Sequence, residues 1–481
     1  MKQTNKLETS KKMNGAAIIA VLVFSAFIAT FNETILNVAL SGIMKEMNVT
    51  AGTAQWLITA YMIVTSVMVP ITAFLIQTFR TKQLFLGALG LLLVGTICAA
   101  LSESFISLVI SRMVQASGTG MMIPVMMNTV LLVAPKNKIG SVMAICGCAI
   151  SLGPAFGPTF AGVILQYFSW HVLFIILIPI IILAMIVGKL VLADVGEITK
   201  PKIDYLSILL STIGVGTIIY GISSISEGNI KITLVNFIIG IICMIIFIKR
   251  QLILSEPMLN LSPFRYPKFV IGVLIVMISM MISFNMNVIL PMFIEGSLGK
   301  TSFIAAMALL PAVIFMAIAT PVGGKMYDKY GVKWLIPIGM GIIAIFVFIL
   351  ANSNDQTSLI KIIITYICVS IGVGFTMSPA QTHSLKQLPK EYYPHGVAIV
   401  NTLQQISAAI GSSLFIGIMS AVQVKTLAAG NVANETAVAA GFSSAVMVAC
   451  GITIVGFILT FAFGRESHEV ESKSKKQAIL E

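Results

Sequence analysis

Residues 105–133 read FISLVISRMVQASGTGMMIPVMMNTVLLV, an unbroken apolar stretch with a single charge, Arg112. As an α-helix it would be about 43 Å long at 1.5 Å per residue, and crossing a bilayer core takes roughly 20 apolar residues. The stretch therefore reads as a membrane span with an arginine inside it. A charge at that depth is costly, so it has to face protein or water and find a partner. The rest of the chain has the same character. Of 481 residues, 57% are hydrophobic and 10% charged, with a mean hydropathy of +1.00. A soluble domain carries about 25% charged residues, so the composition excludes one. The ten-residue alternating segments of a transmembrane barrel are absent as well.

Applied to the whole chain, the same ruler gives fourteen spans, near 15–40, 54–79, 83–101, 105–133, 138–166, 170–193, 205–226, 231–250, 268–294, 302–325, 333–351, 358–384, 397–421 and 438–463. Lys11 and Lys12 precede the first, as in a signal peptide, but the apolar run continues through Glu33 to Leu40 without a cleavage site, so the span is retained. Placing the N-terminus in the cytoplasm puts twenty-four Lys and Arg inside and five outside, with Arg112 embedded. Lys and Arg accumulate on cytoplasmic loops, so both termini are expected in the cytoplasm and the chain in the plasma membrane. The net charge of +12 then belongs beside anionic headgroups, and nucleic acid is not an expected partner. The cysteines, Cys98, Cys146, Cys148, Cys243, Cys368 and Cys450, all fall within apolar spans. They read as packing residues, with no metal site.

The loops leave no room for a soluble catalytic domain. The longest inner connections, 194–204 and 249–267, bracket the seventh and eighth spans. The expected organisation is a tail 1–14, a six-helix bundle 15–193, a linker 194–267 with two inserted spans, a second bundle 268–463 and a tail 464–481. A repeat supports it. Ala73, Gln77, Arg80 and Lys82 follow the second span, and Gly324, Asp328, Lys329, Gly331 and Lys333 follow the tenth. Parallel halves related by an axis along the membrane normal are a recurring transporter design.

On these residues the chain resembles the major facilitator superfamily, and within it the fourteen-span drug:proton antiporter family, over nearly its whole length. The resemblance implies an all-α polytopic fold of fourteen helices, six plus two plus six, with two pseudo-symmetric six-helix halves. It makes Gly324, Asp328, Lys329, Gly331 and Lys333 a cytoplasmic gating turn. In the first copy Gln77 stands where an aspartate is usual and Ala73 where a glycine is. Arg112, with Gln115, Gly118 and Gly120, resembles the fourth-helix motif, whose arginine is implicated in proton coupling. Glu33, in the run Phe31 to Leu40, resembles the first-helix motif, although the usual aspartate position holds Asn32. Gly147, Gly153, Pro154, Gly157, Pro158 and Gly162 resemble the antiporter signature of drug exporters, and a generic kinked helix is their plainer reading. His171, where the family carries arginine, reads as a headgroup-level residue beside Trp170.

Depth connects the two charged residues. Glu33 lies seven residues, about 10 Å, below Leu40, and Arg112 lies equally far below Phe105. We expect the pair to meet in one conformation and part in the other. Paired, the cation keeps the carboxylate ionised; parted, apolar surroundings favour the protonated acid. A permanent structural bridge is the alternative. The cavity candidates are Asn32, Asn37, Gln115, Met281, Phe284, Asn285, Asn287, Gln381, Asn401, Gln404 and Gln405. Amides at such depth either line a cavity or join helices, and Met and Phe either repack around varied ligands or fill a core.

The expected function is proton-coupled export of lipophilic or amphipathic compounds by a monomer, with no cofactor beyond the proton gradient. With one embedded carboxylate, neutral, zwitterionic or monocationic substrates fit better than dications. A dedicated exporter of one endogenous compound on the same fold is the second reading. A polytopic membrane enzyme is the third, and it would want a polar cluster at one membrane face that the sequence does not show. No nucleotide-binding loop suggests ATP drive. Richness in Ile, Lys and Asn suggests a low-GC bacterium.

Overall fold

The computed structural model describes residues 15–49, 51–195, 198, 204–225, 230–254, 257–428 and 433–465. The expected tail 1–14, most of the tail beyond 463, and Lys200 and Lys202 lie outside the described residues. The described chain is helical throughout. Fourteen long helices follow in order: α1 (Gly15–Thr34), α2 (Ala51–Thr78), α3 (Thr81–Ala100), α4 (Phe105–Val133), α5 (Ile139–Ile164), α6 (His171–Val191), α7 (Tyr205–Ile225), α8 (Ile230–Ile253), α9 (Pro267–Gly296), α10 (Ser302–Tyr330), α11 (Val332–Ala351), α12 (Leu359–Lys386), α13 (Tyr393–Ala428) and α14 (Asn434–Arg465). Twelve are long and apolar enough to cross a membrane by length and composition; α5 and α7 contribute the shorter apolar stretches Ile139–Pro154 and Tyr205–Gly221.

Helix is the only open-ended element that satisfies its own backbone in hydrocarbon, and local signals set the ends. Ser104 accepts the Ser107 N–H at the start of α4, and Thr301 accepts the Ile304 N–H at the start of α10. Gly331, at φ +74°, takes the left-handed conformation that separates α10 from α11.

Helices α1 to α6 pack among themselves, as do α9 to α14, and the two sets meet where α5 lies on α10 and α2 lies on α13. The inserted hairpin pairs α7 with α8 and docks through α7 onto α2 and α13. Trp56 meets Tyr220 at 5.4 Å between ring centres, and Val67, Val215 and Ile219 are buried together. Outside the hairpin contact, α8 is almost bare, with Ile238, Ile242, Ile245 and Leu252 exposed as on a lipid-facing surface.

Three expected boundaries move: the span expected at 302–325 continues to Tyr330, so Gly324, Asp328 and Lys329 lie in the last turns of α10 and not in a turn after it. The span expected at 397–421 is the longer helix Tyr393–Ala428. The first span, expected to run to Leu40, stops being α-helical at Thr34, continues as a 3₁₀ turn over Ile35–Val38, and resumes as a short helix over Leu40–Glu46. Glu33 is therefore in the last turn of α1, not seven residues inside it.

Candidate functional site

The end of α1 is the centre of the site. A helix leaves the carbonyls of its last turn without intrahelical partners, and its C-terminus attracts positive charge. Arg112 of α4 meets both conditions. Its Nη1 donates to Asn32 O at 3.0 Å and its Nη2 to Glu33 O at 2.9 Å. Nη1 also donates to Gln115 Oε1 at 3.0 Å, and Gln115 Nε2 donates to Thr96 Oγ1 at 3.0 Å. The guanidinium carbon lies 4.0 Å from the ring centre of Tyr61 on α2, a cation–π contact. The Tyr61 hydroxyl is 2.7 Å from Thr119 Oγ1. Arg112 is 1% exposed, and its Nε has no hydrogen-bond acceptor in the protein.

Arg112 does meet Glu33, but through its backbone carbonyl, and the side-chain ion pair expected in one conformation is not present in this one. The guanidinium is held by main-chain carbonyls, and the ion pairs among the described residues are Arg80–Asp194 and Arg250–Asp204. The Glu33 side chain is half-buried.

Helix α5 packs behind this turn. A Cβ at Gly153 would collide with Thr30 Oγ1 and Phe31 N, and one at Gly157 with Thr34 Oγ1. These two glycines let α5 lie directly on the last turn of α1. Gly147 would meet nothing closer than 3.8 Å, and Gly162 nothing within 4 Å. Pro154 is exposed within α5; Pro158 belongs to the same helix.

On the face carrying Arg80, Asp194 and Lys329, the one expected inside from the charge bias, the two halves are closed on each other. The Asp328 carboxylate accepts the Gly140 N–H at 2.8 Å, the Ser141 N–H at 2.7 Å and the Ser141 hydroxyl at 2.6 Å. An acid at the second and third residues of a helix takes up free N–H groups and favours the dipole, so Asp328 caps α5 from the opposite half. The approach is close, since a Cβ at Gly324 would run into Ala144 and Gly140 O. Lys329 lies 4.9 Å from the Tyr330 ring, and Lys333 is in the first turn of α11. His383 Nδ1 is 3.4 Å from the Tyr327 hydroxyl. On the outer face, the His171 ring stacks on Trp170 at 3.6 Å, and Trp170 Nε1 donates to Glu46.

The amide candidates divide. Gln381 and Asn401 are buried at the closed seam, where each donates to the Met127 sulfur of α4, at 3.4 and 3.5 Å. Asn285 is buried against Gly411 of α13 and donates to Met281 O and Ala408 O, so it joins helices. Met281 is buried, whereas Phe284 and Asn287 are exposed on α9, and Asn287 Oδ1 accepts the Tyr366 hydroxyl at 3.1 Å. Gln404 is buried with Nε2 lacking a partner, Gln405 is half-buried, and Asn37 lies in the 3₁₀ turn. Tyr61, Met127 and the Gly140–Ser141 cap site escaped sequence reasoning, because nothing marks them out from other residues of apolar helices.

The inserted hairpin has a polar foot. Arg250 Nε and Nη2 donate to Asp204 at 2.7 and 3.0 Å. These bonds hold the Asp204 carboxyl at about 2, below the usual carboxylate range. Gln251 donates to Ser207 Oγ and accepts the Leu259 N–H, and the next residue's N–H, on Asn260, donates to His395 Nδ1 at the start of α13.

The sequence profile of the Major Facilitator Superfamily matches residues 22–412 and, in a second match, 272–480. The lincomycin resistance protein LmrB of Bacillus subtilis (strain 168) is 41% identical over 468 residues, covering 95% of this chain and 98% of that protein. The protein of the same name in Listeria innocua serovar 6a is 39% identical over 415 residues, 86% of this chain and 88% of that protein. The riboflavin transporter RibZ of Clostridioides difficile (strain 630) is 23% identical over 94% of this chain and 98% of its own length. Among solved structures, the human organic anion transporter MFSD10 (TETRAN) superposes with a TM-score of 0.66 at 11% identity, covering 93% of this chain and 99% of that one, a likeness of fold.

Proposed function

This chain belongs to the Major Facilitator Superfamily, and on that premise we propose that it exports lipophilic or amphipathic antibiotics, lincomycin among them, in exchange for protons. The choice of substrate is supported by the relatives named for lincomycin resistance. The observation that supports the coupling is Arg112 clasping the carbonyls of Asn32 and Glu33 in the last turn of α1, with its Nε left without an acceptor in the protein. Alternating access in such folds is rocking of one half against the other around a fixed site. Opening the inner seam moves α5 off α10, and α5 is the helix that lies on the last turn of α1. A shift of that turn relative to α4 would trade the carbonyl contacts of Arg112 for the Glu33 carboxylate. The acid then gives up its proton when it meets the cation and regains one when it leaves. The charge bias supports a plasma-membrane protein with both termini in the cytoplasm, and the partners of Arg112 all come from one chain, which is compatible with a monomer.

The test uses everted membrane vesicles with an imposed proton gradient. Lincomycin should release protons from wild-type vesicles and be accumulated by them, and Glu33→Gln should abolish both. Coupling that survives Glu33→Gln would move the proton carrier elsewhere. The narrower reading, one endogenous substrate, draws support from the distant relative named as a riboflavin transporter. It would be favoured if overexpression left susceptibility to every antibiotic in a lipophilic panel unchanged.

A further inference from the structure

A cavity of about 520 Å³ lies between α1, α5 and α6. Its floor is the aromatic row Phe24, Phe27 and Phe31 of α1, and Phe156 and Phe160 of α5 form one wall. The rings are in contact, Phe27 with Phe31 at 5.8 Å and Phe31 with Phe160 at 5.5 Å. The other wall, from α6, is aliphatic, and among the described residues every one lining the cavity has a hydrocarbon side chain.

The crevice opens away from the seam between the halves. On α5, Cys148 bonds to Ala317 O of α10 and Gly147 faces Thr320, so that side of the helix looks toward the other half. Ile145, Phe156 and Val163 are exposed, at 45%, 49% and 55%, on the side of α5 opposite Gly147. Phe24 is exposed in the same way. Exposed apolar surface on a membrane span is lipid-facing, so the mouth is continuous with the surface covered by the bilayer.

Depth selects the occupant. The crevice reaches from Val163, one residue inside the outer end of α5, to Phe156, and along α6 from Ile176 to Ile180, five to nine residues in from His171. At 1.5 Å per residue this is about 2 to 14 Å below the outer helix ends, the depth of one leaflet's hydrocarbon in a core of about 30 Å. Above it, Tyr167 and Phe168 are exposed at the level where aromatic side chains meet headgroups. A polar drug placed here would leave its own hydrogen-bonding groups without partners, which is costly in hydrocarbon. An acyl chain brings no such groups, and the volume is in the usual range for a ligand site.

We propose that this crevice binds one acyl chain of a phospholipid in the outer-face leaflet, wedged between α5 and α6 on the aromatic floor of α1. The bound chain presses on α1 one residue before Asn32 and Glu33, whose carbonyls hold Arg112.

The test is photolabelling of the purified chain in vesicles of equal parts phosphatidylethanolamine and phosphatidylglycerol, the latter carrying a mid-chain diazirine. Labelled residues are read by mass spectrometry. Phe24, Phe156 and Val163 should be labelled several-fold more than Ile110 and Ile364, which are exposed on α4 and α12 five residues in from their outer ends. Val163→Trp, a change at an exposed position that fills the mouth, should reduce Phe156 labelling to the level of Ile110. Equal labelling at all five positions in the wild type would overturn the proposal, leaving only ordinary boundary lipid. Loss of Phe156 labelling on adding lincomycin would also overturn it, by giving the crevice to the drug.

Discussion

The last turns of α10 reach across the molecule, whereas the last turns of α2, their repeat in the other half, stay at home. Asp328 caps α5 of the opposite half through three hydrogen bonds. At the matching place Gln77 donates back to Ala73 O of its own helix, and Arg80 and Lys82 turn to Asp194 at the start of the linker. The chemistry explains the difference. A carboxylate offers two charged acceptors to free helix N–H groups, and a neutral amide offers one weaker acceptor. The two seams are consequently closed by different means. The α5·α10 seam has a polar latch. The α2·α13 seam is covered by the inserted hairpin, whose α7 lies on both helices and whose foot is tied through Gln251, Leu259 and Asn260 to His395. The inserted pair of helices stands on the side where the repeat carries Gln77 and not an acid.

Removing the latch should have the largest effect. Asp328→Asn keeps an acceptor but loses the charge, at about 1.5 kcal/mol for a charged hydrogen bond, a roughly tenfold shift from the closed toward the open inner face. In a chain stripped of its six native cysteines, inner-side alkylation of a Met127→Cys reporter should rise accordingly, and transport should fall in parallel. Unchanged labelling would mean that the latch does not control closure. On the other seam, Tyr220→Ala removes the ring that meets Trp56 and should raise the same labelling by about threefold, in line with roughly 0.5–1.5 kcal/mol for an aromatic pair. A larger effect than that of Asp328→Asn would reverse the ranking of the two seams. Restoring the acid with Gln77→Asp should change labelling by less than about twofold, because the equivalent helix start, Tyr393-Pro394-His395, has a proline where a backbone donor is needed.

The all-helical fold was legible, with fourteen long helices of which twelve are apolar enough to cross a membrane, because about twenty apolar residues between charged turns permit little else. The end of α1 was not. Ile35, Leu36, Ala39 and Leu40 are as apolar as the helix before them, and apolarity reports burial, not whether the backbone keeps its helical turn. Depth put Arg112 near the backbone of Glu33, although the helix end is not where the apolar run ends. It could not reveal that main-chain carbonyls would take the guanidinium, since every residue has a carbonyl and only a broken helix leaves it free. The same limit hid the partner of Asp328: Gly140 and Ser141 matter as N–H groups at a helix start, which residue type does not advertise. The amides needed packing to be sorted, because Asn285 against Gly411 and Gln381 against Met127 look alike in a span.

The smallest expected effect is at the foot of the hairpin, where Asp204 and Arg250 join α7 to α8 but not to either half. Its signature is in pH. Hydrogen bonds from Arg250 hold the Asp204 carboxyl at about 2, below the value of about 4 that it has in an unfolded chain. A depressed carboxyl contributes stability that is fully present above the unfolded value and is lost as pH falls through the folded one. Arg250 stays charged throughout this range. The melting temperature of purified wild type should therefore exceed that of Asp204→Asn by a constant margin from pH 7 to about 5, with the margin shrinking below about 4 and gone near 2. Because the pair is partly open to water, the margin should be small, and lincomycin transport by Asp204→Asn should stay within about twofold of wild type. A transport loss comparable to that of Asp328→Asn would show that the hairpin does more than cover its seam, and that the foot transmits its position through Asn260 and His395 to α13.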